Sequence, residues 1–298
     1  ALAAASGTTV DAKKLPFTAI DLAADGAAVS FDLNGRRYTC DVKGAACTSV
    51  ETARDPNAVV SPDGTRAVFI KDWNLWVRDL TSKVERPLTT DGEPNFGYAT
   101  DNAGWTHSDR AIVLWSPDSK KVATFQQDER QVGDWYLVET KVGHPVLHQW
   151  KYPLPGDEHV AMLHRVVIDT DTGVVTRFKM APDFHRAMLG DDFDVDDMSW
   201  SPDATRLAFV STGRDHKTAT VRLADVATGE VRTVFEESEK THFEAPAGWR
   251  VLWESGEILW NSQRDDWSHL YLYDLASGRL KNRVTTGAGP VTRIVRVD

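Results

Sequence analysis

The phrase Ser61-Pro62-Asp63-Gly64 returns as Ser116-Pro117-Asp118-Ser119 and as Ser201-Pro202-Asp203-Ala204, each time ahead of a short apolar run. A variant, Trp253-Glu254-Ser255-Gly256, holds the slot a fourth time. The runs are Ala67-Val68-Phe69-Ile70, Val122-Ala123-Thr124-Phe125, Leu207-Ala208-Phe209-Val210 and Glu257-Ile258-Leu259-Trp260. Proline presets φ at the first central turn position, and Asp and Gly tolerate the next ones. Each phrase therefore reads as a hairpin turn feeding a buried strand. One supersecondary unit repeated along a chain constrains the fold before any other feature does.

A second punctuation mark follows each run. A strand ends in an acidic residue, a small polar spacer and usually glycine: 139–143, 169–173, 225–229 and 274–278, with Lys83 replacing the glycine in the copy that begins at Asp79. Two turn signals per unit predict a four-stranded antiparallel meander, and meanders stacked radially make an all-β propeller. A β-sandwich is the competing architecture, but its strands do not repeat one turn phrase. After a lead-in at 1–16, with a helical turn expected over 10–15, the blades are expected at 17–52, 57–92, 111–182, 193–238 and 247–288. Residues 290–298 read as the start of a further blade. That unfinished unit favours a segment of a larger propeller over a small closed ring. The third unit is over-long, and Pro153 and Pro155 keep part of it out of any central ladder. Segment 91–110 is polar and aromatic with no strand period, the character of a binding or contact loop.

Bulk properties remove several classes of function. The 298 residues carry a net charge of −10 and no basic run, which argues against nucleic acid and anionic membrane as partners. No apolar stretch approaches the ~20 residues of a membrane span. Cys40 and Cys47 are the only cysteines. With Lys43-Gly44 as a two-residue turn they face each other as a hydrogen-bonded cross-strand pair, Cα atoms about 5.5 Å apart, within disulfide range. A bridge implies an oxidising compartment, periplasmic or secreted; two reduced thiols are the alternative.

No serine has the Gly-x-Ser-x-Gly setting of an α/β-hydrolase nucleophile, and His107-Ser108-Asp109 is too contiguous to be a converging triad. No His-Glu-x-x-His or phosphate loop is present, so neither metal nor cofactor is expected.

Three phrases go beyond generic repeats. They are residues 114–123, from Leu114-Trp115-Ser116-Pro117; Gly143-His144-Pro145 followed by Trp150-Lys151-Tyr152-Pro153-Leu154-Pro155-Gly156; and Leu259-Trp260-Asn261-Ser262-Gln263-Arg264-Asp265-Asp266-Trp267-Ser268-His269-Leu270-Tyr271. In this order they resemble the amino-terminal propeller of the dipeptidyl peptidase IV branch of the prolyl oligopeptidase family. The resemblance implies part of an eight-bladed propeller that gates access to a separate α/β-hydrolase domain with a Ser-Asp-His triad. It also implies dimerisation, shared between propeller and hydrolase.

In that family two adjacent glutamates, ahead of a Trp-Ser-Pro strand, hold the substrate's amino terminus. The matching stretch here keeps Trp105 but has no glutamate pair, and Asp109, beside Arg110, is its only carboxylate. Asp128 and Glu129, after the strand 122–125, are a second candidate for an ammonium, through charge-assisted hydrogen bonds. A solvated turn neutralised by Arg130 is the alternative. Arg54 lies near where the family carries an arginine for a substrate carbonyl, a task for a planar bidentate donor; pairing with Asp55 is the plainer role.

The expected function is thus the substrate-gating and substrate-binding propeller of a serine exopeptidase, inactive without its hydrolase. The competing function is a non-catalytic periplasmic interaction propeller, in which Ser-Pro-Asp-Gly turns are equally at home.

Overall fold

The computed structural model describes residues 2–7, 9–11, 13–17, 20–23, 26–33, 36–51, 55–100, 109–185, 197–243 and 248–297. It divides into two compact units, Ala1–Pro56 and Asn57–Asp298.

The first unit has one short helix, α1 (Leu2–Ser6), and a sheet in the order β1 (Asp21–Leu22), β2 (Ala28–Leu33), β3 (Arg36–Asp41), β4 (Cys47–Glu51). The helical turn thus lies ahead of residues 10–15, which hold an Asp11–Lys14 bridge instead. Phe31, Tyr38 and Cys40 form the small core, and Phe17 stacks on Phe31 with ring centroids 3.8 Å apart. Cys40 pairs with Cys47 in the expected register, and a disulfide joins them. The kind of pair differs from expectation. Asp41 N–H donates to the Ala46 carbonyl at 2.9 Å, so 41:46 is the hydrogen-bonded pair. Cys40 and Cys47 take the non-hydrogen-bonded position, with Cα atoms 4.1 Å apart. The cause is the loop. Gly44, at φ +72°, donates to the Asp41 carbonyl at 2.8 Å, and the chain reverses over four residues rather than two.

The second unit is a succession of antiparallel sheets of the propeller-blade type. One runs β5 (Val59–Val60), β6 (Arg66–Lys71), β7 (Asn74–Asp79), β8 (Glu85–Pro87). The next contains β9 (Phe96–Tyr98), β10 (Leu114–Trp115), β11 (Lys121–Asp128), then a separate hairpin of β12 (Asp134–Glu139) and β13 (Val146–Lys151), then β14 (Met162–Asp169), β15 (Val175–Arg177) and β16 (Asp183–Phe184). Two plain four-stranded sheets follow. They are β17 (Met198–Trp200), β18 (Arg206–Thr212), β19 (Thr218–Asp225), β20 (Val231–Ser238), and β21 (Trp249–Leu252), β22 (Glu257–Asp265), β23 (Trp267–Asp274), β24 (Leu280–Arg283). Residues 290–297 form no strand; Val291 and Ile294 pack on Leu259, Leu270 and Leu272 of the last sheet.

Turn chemistry explains why these segments pair. Ser61, Ser116 and Ser201 each donate their hydroxyl to the Asp two residues on, at 2.6 Å, and accept the N–H five residues on. The fourth position takes positive φ whether it is Gly64, Ser119 or Ala204. In the second turn Asp79, Asp169, Asp225 and Asp274 each accept a backbone N–H three residues on, at 2.7–2.8 Å. Gly278 there is also a close approach, because a Cβ would collide with the Val234 carbonyl.

Apolar residues fill the seams. Val68, Leu75 and Val77 meet Val122, Val166 and Ile168; Ala123 and Val167 meet Leu207 and Phe209; Val210 and Val221 meet Ile258, Trp260 and Tyr271. One polar bond recurs at each seam. Trp115 Nε1 donates to the Val59 carbonyl (3.0 Å), Trp200 Nε1 to the Leu114 carbonyl (3.1 Å) and Trp253 Nε1 to Ser199 Oγ (3.1 Å). Each indole spends its one donor on the preceding sheet; Trp115 and Trp200 are buried and Trp253 half-buried.

Candidate functional site

In an antiparallel meander the first–second and third–fourth turns share one end of the sheet. In the second unit those turns are the tight ones just described. The opposite end carries the connection 129–161 with its hairpin. Of the exposed aromatic residues described in this unit, Trp73, Trp135, Tyr136 and Tyr152 lie on connections that leave from that end, and Trp267 is the first residue of β23 beside it. Aromatic surface gathered on one end marks it as the contact end.

The sheet containing β11 is built differently from the others. Its first strand is split: β10 pairs with the start of β11 (Trp115 with Val122) and β9 with its far end (Gly97 with Gln127). Between β9 and β10 the chain leaves the sheet, and of this stretch residues 99–100 and 109–113 are described. Its roots are pinned by Ala99 N–H to the Phe125 carbonyl (2.9 Å), Ile112 N–H to the Ala99 carbonyl (3.0 Å) and Thr124 Oγ1 to the Ile112 carbonyl (2.7 Å). Trp105 belongs to this stretch but lies outside the described residues, as does Arg54 in the first unit. Asp109 is exposed on the returning arm, where Ala111 N–H reaches the Asn57 carbonyl at 3.1 Å.

Asp128 and Glu129 sit together at the far end of β11 but in different environments. Asp128 takes a two-point contact from Arg130, Nε at 3.0 Å and Nη2 at 2.8 Å. Arg130 also bonds Glu93 at 3.1 Å and lies 3.9 Å over the Phe96 ring. The Arg130 hydrogen bonds hold the Asp128 carboxyl below its usual range. Glu129 is buried, its N–H donating to the Asn95 carbonyl at 2.8 Å. The adjacent carboxylates are therefore one ion-paired group and one interior group. His164 packs edge-on against Phe96, and burial lowers its pKa.

Sequence reasoning assigned 91–110 no strand, whereas β9 lies within it and carries Phe96 into this cluster. The one local signal was the aromatic-glycine-aromatic alternation Phe96-Gly97-Tyr98. Glu93 and His164 had no local signal at all. Among the described residues no group of three His, Cys, Asp or Glu is placed to hold a metal ion, and no helix is long and apolar enough to cross a membrane.

Residues 28–298 match the family model described as "Dipeptidyl peptidase IV (DPP IV) N-terminal region". Among curated proteins the chain is similar to "Probable dipeptidyl-aminopeptidase B" of Penicillium rubens, 28% identical over 144 residues, covering 43% of this chain and 16% of that protein. It is 25% identical over 257 residues to a protein named as a dipeptidyl aminopeptidase in Schizosaccharomyces pombe, covering 78% of this chain and 31% of that one. Among solved structures, dipeptidyl peptidase 4 of Porphyromonas gingivalis superposes with a TM-score of 0.66 at 18% identity, covering 99% of this chain and 44% of that one. The chain thus spans under half the length of each of these relatives. By the match over residues 28–298, it belongs to the family of dipeptidyl peptidase IV N-terminal regions.

Proposed function

We propose that this chain is the substrate-binding and substrate-gating propeller of a dipeptidyl peptidase IV-like serine exopeptidase. The nucleophile would lie on an α/β-hydrolase domain outside these residues. The observation that carries the reading is the split first strand within a chain of this family. The stretch between β9 and β10 leaves the sheet where the resemblance sets the clamp for a peptide amino terminus. Asp109 is the exposed carboxylate on its returning arm, while Asp128, at the end of β11, pairs across the sheet with Phe96 and is followed by Glu129. Trp105, on the same stretch of sequence, is a further proposed contact for the peptide; Arg54, on the first unit, is retained separately as a candidate donor to a substrate carbonyl. An ammonium would be held here by charge-assisted hydrogen bonds to carboxylates.

The Cys40–Cys47 disulfide supports a periplasmic or secreted location. The hairpin β12–β13, exposed all along β12 and aromatic there at Trp135 and Tyr136, supports a role in homodimer contact. That same hairpin also supports a second reading, a non-catalytic propeller that binds a protein partner.

The test is to assay the chain alone and the whole gene product with Xaa-Pro and longer chromogenic peptides. Turnover by the whole product and none by the chain alone is expected. Turnover by the chain alone would contradict the assignment of the nucleophile elsewhere. A stable protein partner in a pull-down, with no peptide binding by calorimetry, would favour the second reading.

A further inference from the structure

Gln126 and Gln127 are adjacent on β11, both buried, and their amides fare differently. Gln126 lies on the face it shares with its cross-strand partner Tyr98. Its Oε1 accepts from Arg177 Nη2 at 2.5 Å and its Nε2 donates to the Phe96 carbonyl at 3.3 Å. Gln127 points to the other face, is 1% exposed, and neither its oxygen nor its nitrogen finds a hydrogen-bond partner among the described residues. Its cross-strand partner on β9 is Gly97, so the carboxamide stands beside a position with no side chain. Thr100 folds back over that glycine: a Cβ at 97 would lie 2.8 Å from Thr100 Cγ2 and 3.4 Å from Trp73 Cβ. The Thr100 hydroxyl, on a residue 4% exposed, is also without a partner among the described residues.

Several residues around Gly97 have positive φ, two of them in the two-residue turn between Lys71 and Asn74. Asp72 (φ +51°), Trp73 (+61°), Asn95 (+62°) and Ala99 (+54°) all adopt the left-handed region. At Trp73 this conformation is costly for a bulky side chain, yet it leaves the indole 41% exposed at the edge of the site. The Trp73 carbonyl is fixed in place by the Tyr98 N–H at 2.9 Å. Methionine at 127 would fill a similar volume without the cost of desolvating an unpaired amide. Orphaned polar groups gathered at one point are the mark of a binding site. Thr212 stands eleven residues after Ser201 just as Gln127 does after Ser116, and its buried hydroxyl is likewise without a partner among the described residues.

We propose that Trp73, Thr100 and Gln127 around Gly97 form a subsite for a backbone amide of an extended peptide. A carboxamide offers an acceptor and donors side by side, and a hydroxyl offers one of each. A peptide group needs one partner of each kind. Trp73 supplies the apolar wall at the entrance. This rests on the peptide-binding reading above and adds a contact distinct from any clamp for the amino terminus.

The test is calorimetry on the full chain with tri-alanine and with tri-alanine methylated on its backbone nitrogens. The native chain should bind tri-alanine and prefer it to the methylated peptide. Gln127→Met should weaken tri-alanine binding about tenfold, the scale of one hydrogen bond. It should also erase the preference and leave the melting midpoint equal or higher; Thr100→Val should weaken binding in the same direction. If both variants bind tri-alanine like the native chain, the subsite is refuted while the peptide-binding reading stands. A midpoint lowered by Gln127→Met would show a structural amide and also refute it. If the native chain binds neither peptide, the reading and the subsite fail together.

Discussion

The indole Nε1 of Trp200 donates a hydrogen bond to the backbone carbonyl of Leu114, 3.1 Å away, across the seam between two sheets. Both sheets thereby share a contact that is polar, partly buried and directional. Trp115 and Trp253 make the corresponding bond at the neighbouring seams. Blade-to-blade geometry is therefore set by the same aromatic residue that fills the seam.

Trp200→Phe keeps most of the buried ring and removes the donor, leaving the Leu114 carbonyl without it. The expected loss is about 1–3 kcal/mol of unfolding free energy. Trp200→Ala adds a cavity and should cost about 3–5 kcal/mol. Urea unfolding monitored by far-ultraviolet circular dichroism measures both. Equal stability of native and Phe variants would show that the indole bond contributes nothing net.

Arg165 is the other determinant of a seam. It is 5% exposed, its Nε meets Asp183 at 2.5 Å and its Nη2 meets Asp197 at 2.7 Å and the Val210 carbonyl at 3.1 Å, with the guanidinium 4.7 Å over Phe209. Removing the cation strands two buried carboxylates. Arg165→Met should destabilise by about 3–5 kcal/mol. Replacing all three charged residues with apolar ones of similar size should recover most of that loss. A triple variant no more stable than Arg165→Met alone would show that the ion network, and not merely its imbalance, holds the seam.

The blades were legible because their signals are local. A Ser that bonds the Asp two residues on, or an Asp that accepts N–H groups three residues on, writes its turn within five positions of sequence. The split first strand was not, because β9 has three residues and depends on β11 and on the Trp73 carbonyl, both far away in the chain. Arg165 lies 18 and 32 residues from its carboxylates, so neither partner has a sequence signature. At the candidate site the acidic pair 128–129 was visible, but its division into an ion-paired Asp128 and a buried Glu129 depends on tertiary packing. The cysteine hairpin lies between these cases: its register followed from spacing, while the class of pair followed from one φ at Gly44.

Reduction of Cys40–Cys47 should act on the first unit. Its core is small, with Phe31, Tyr38 and Cys40 as the buried residues, and the bridge itself contributes one of them. Closing a loop this short in the unfolded chain is worth about 2–3 kcal/mol in the chain-entropy account. Hydrogen exchange with and without a phosphine reductant should show lost protection in β2–β4 and unchanged protection in β18, β19, β22 and β23. Protection in β2–β4 that survives reduction would show that the aromatic stack alone suffices.

Acid should act through the turn phrases. The Ser201 hydroxyl and the Thr205 N–H and hydroxyl stabilise the Asp203 carboxylate and lower its pKa to about 2; the same donors at Ser61 and Thr65 lower that of Asp63. A carboxyl whose pKa is depressed by folding stabilises the folded state above its unfolded value, about 3.9. That contribution is lost as pH falls through the folded value. The native chain should therefore lose melting temperature between about pH 4 and pH 2. Asp203→Asn, which cannot ionise, should start lower at pH 7 and show a flatter acid limb. The two melting curves should converge toward pH 2 if the turn carboxylate is responsible. Parallel limbs would place the acid sensitivity in groups other than Asp203.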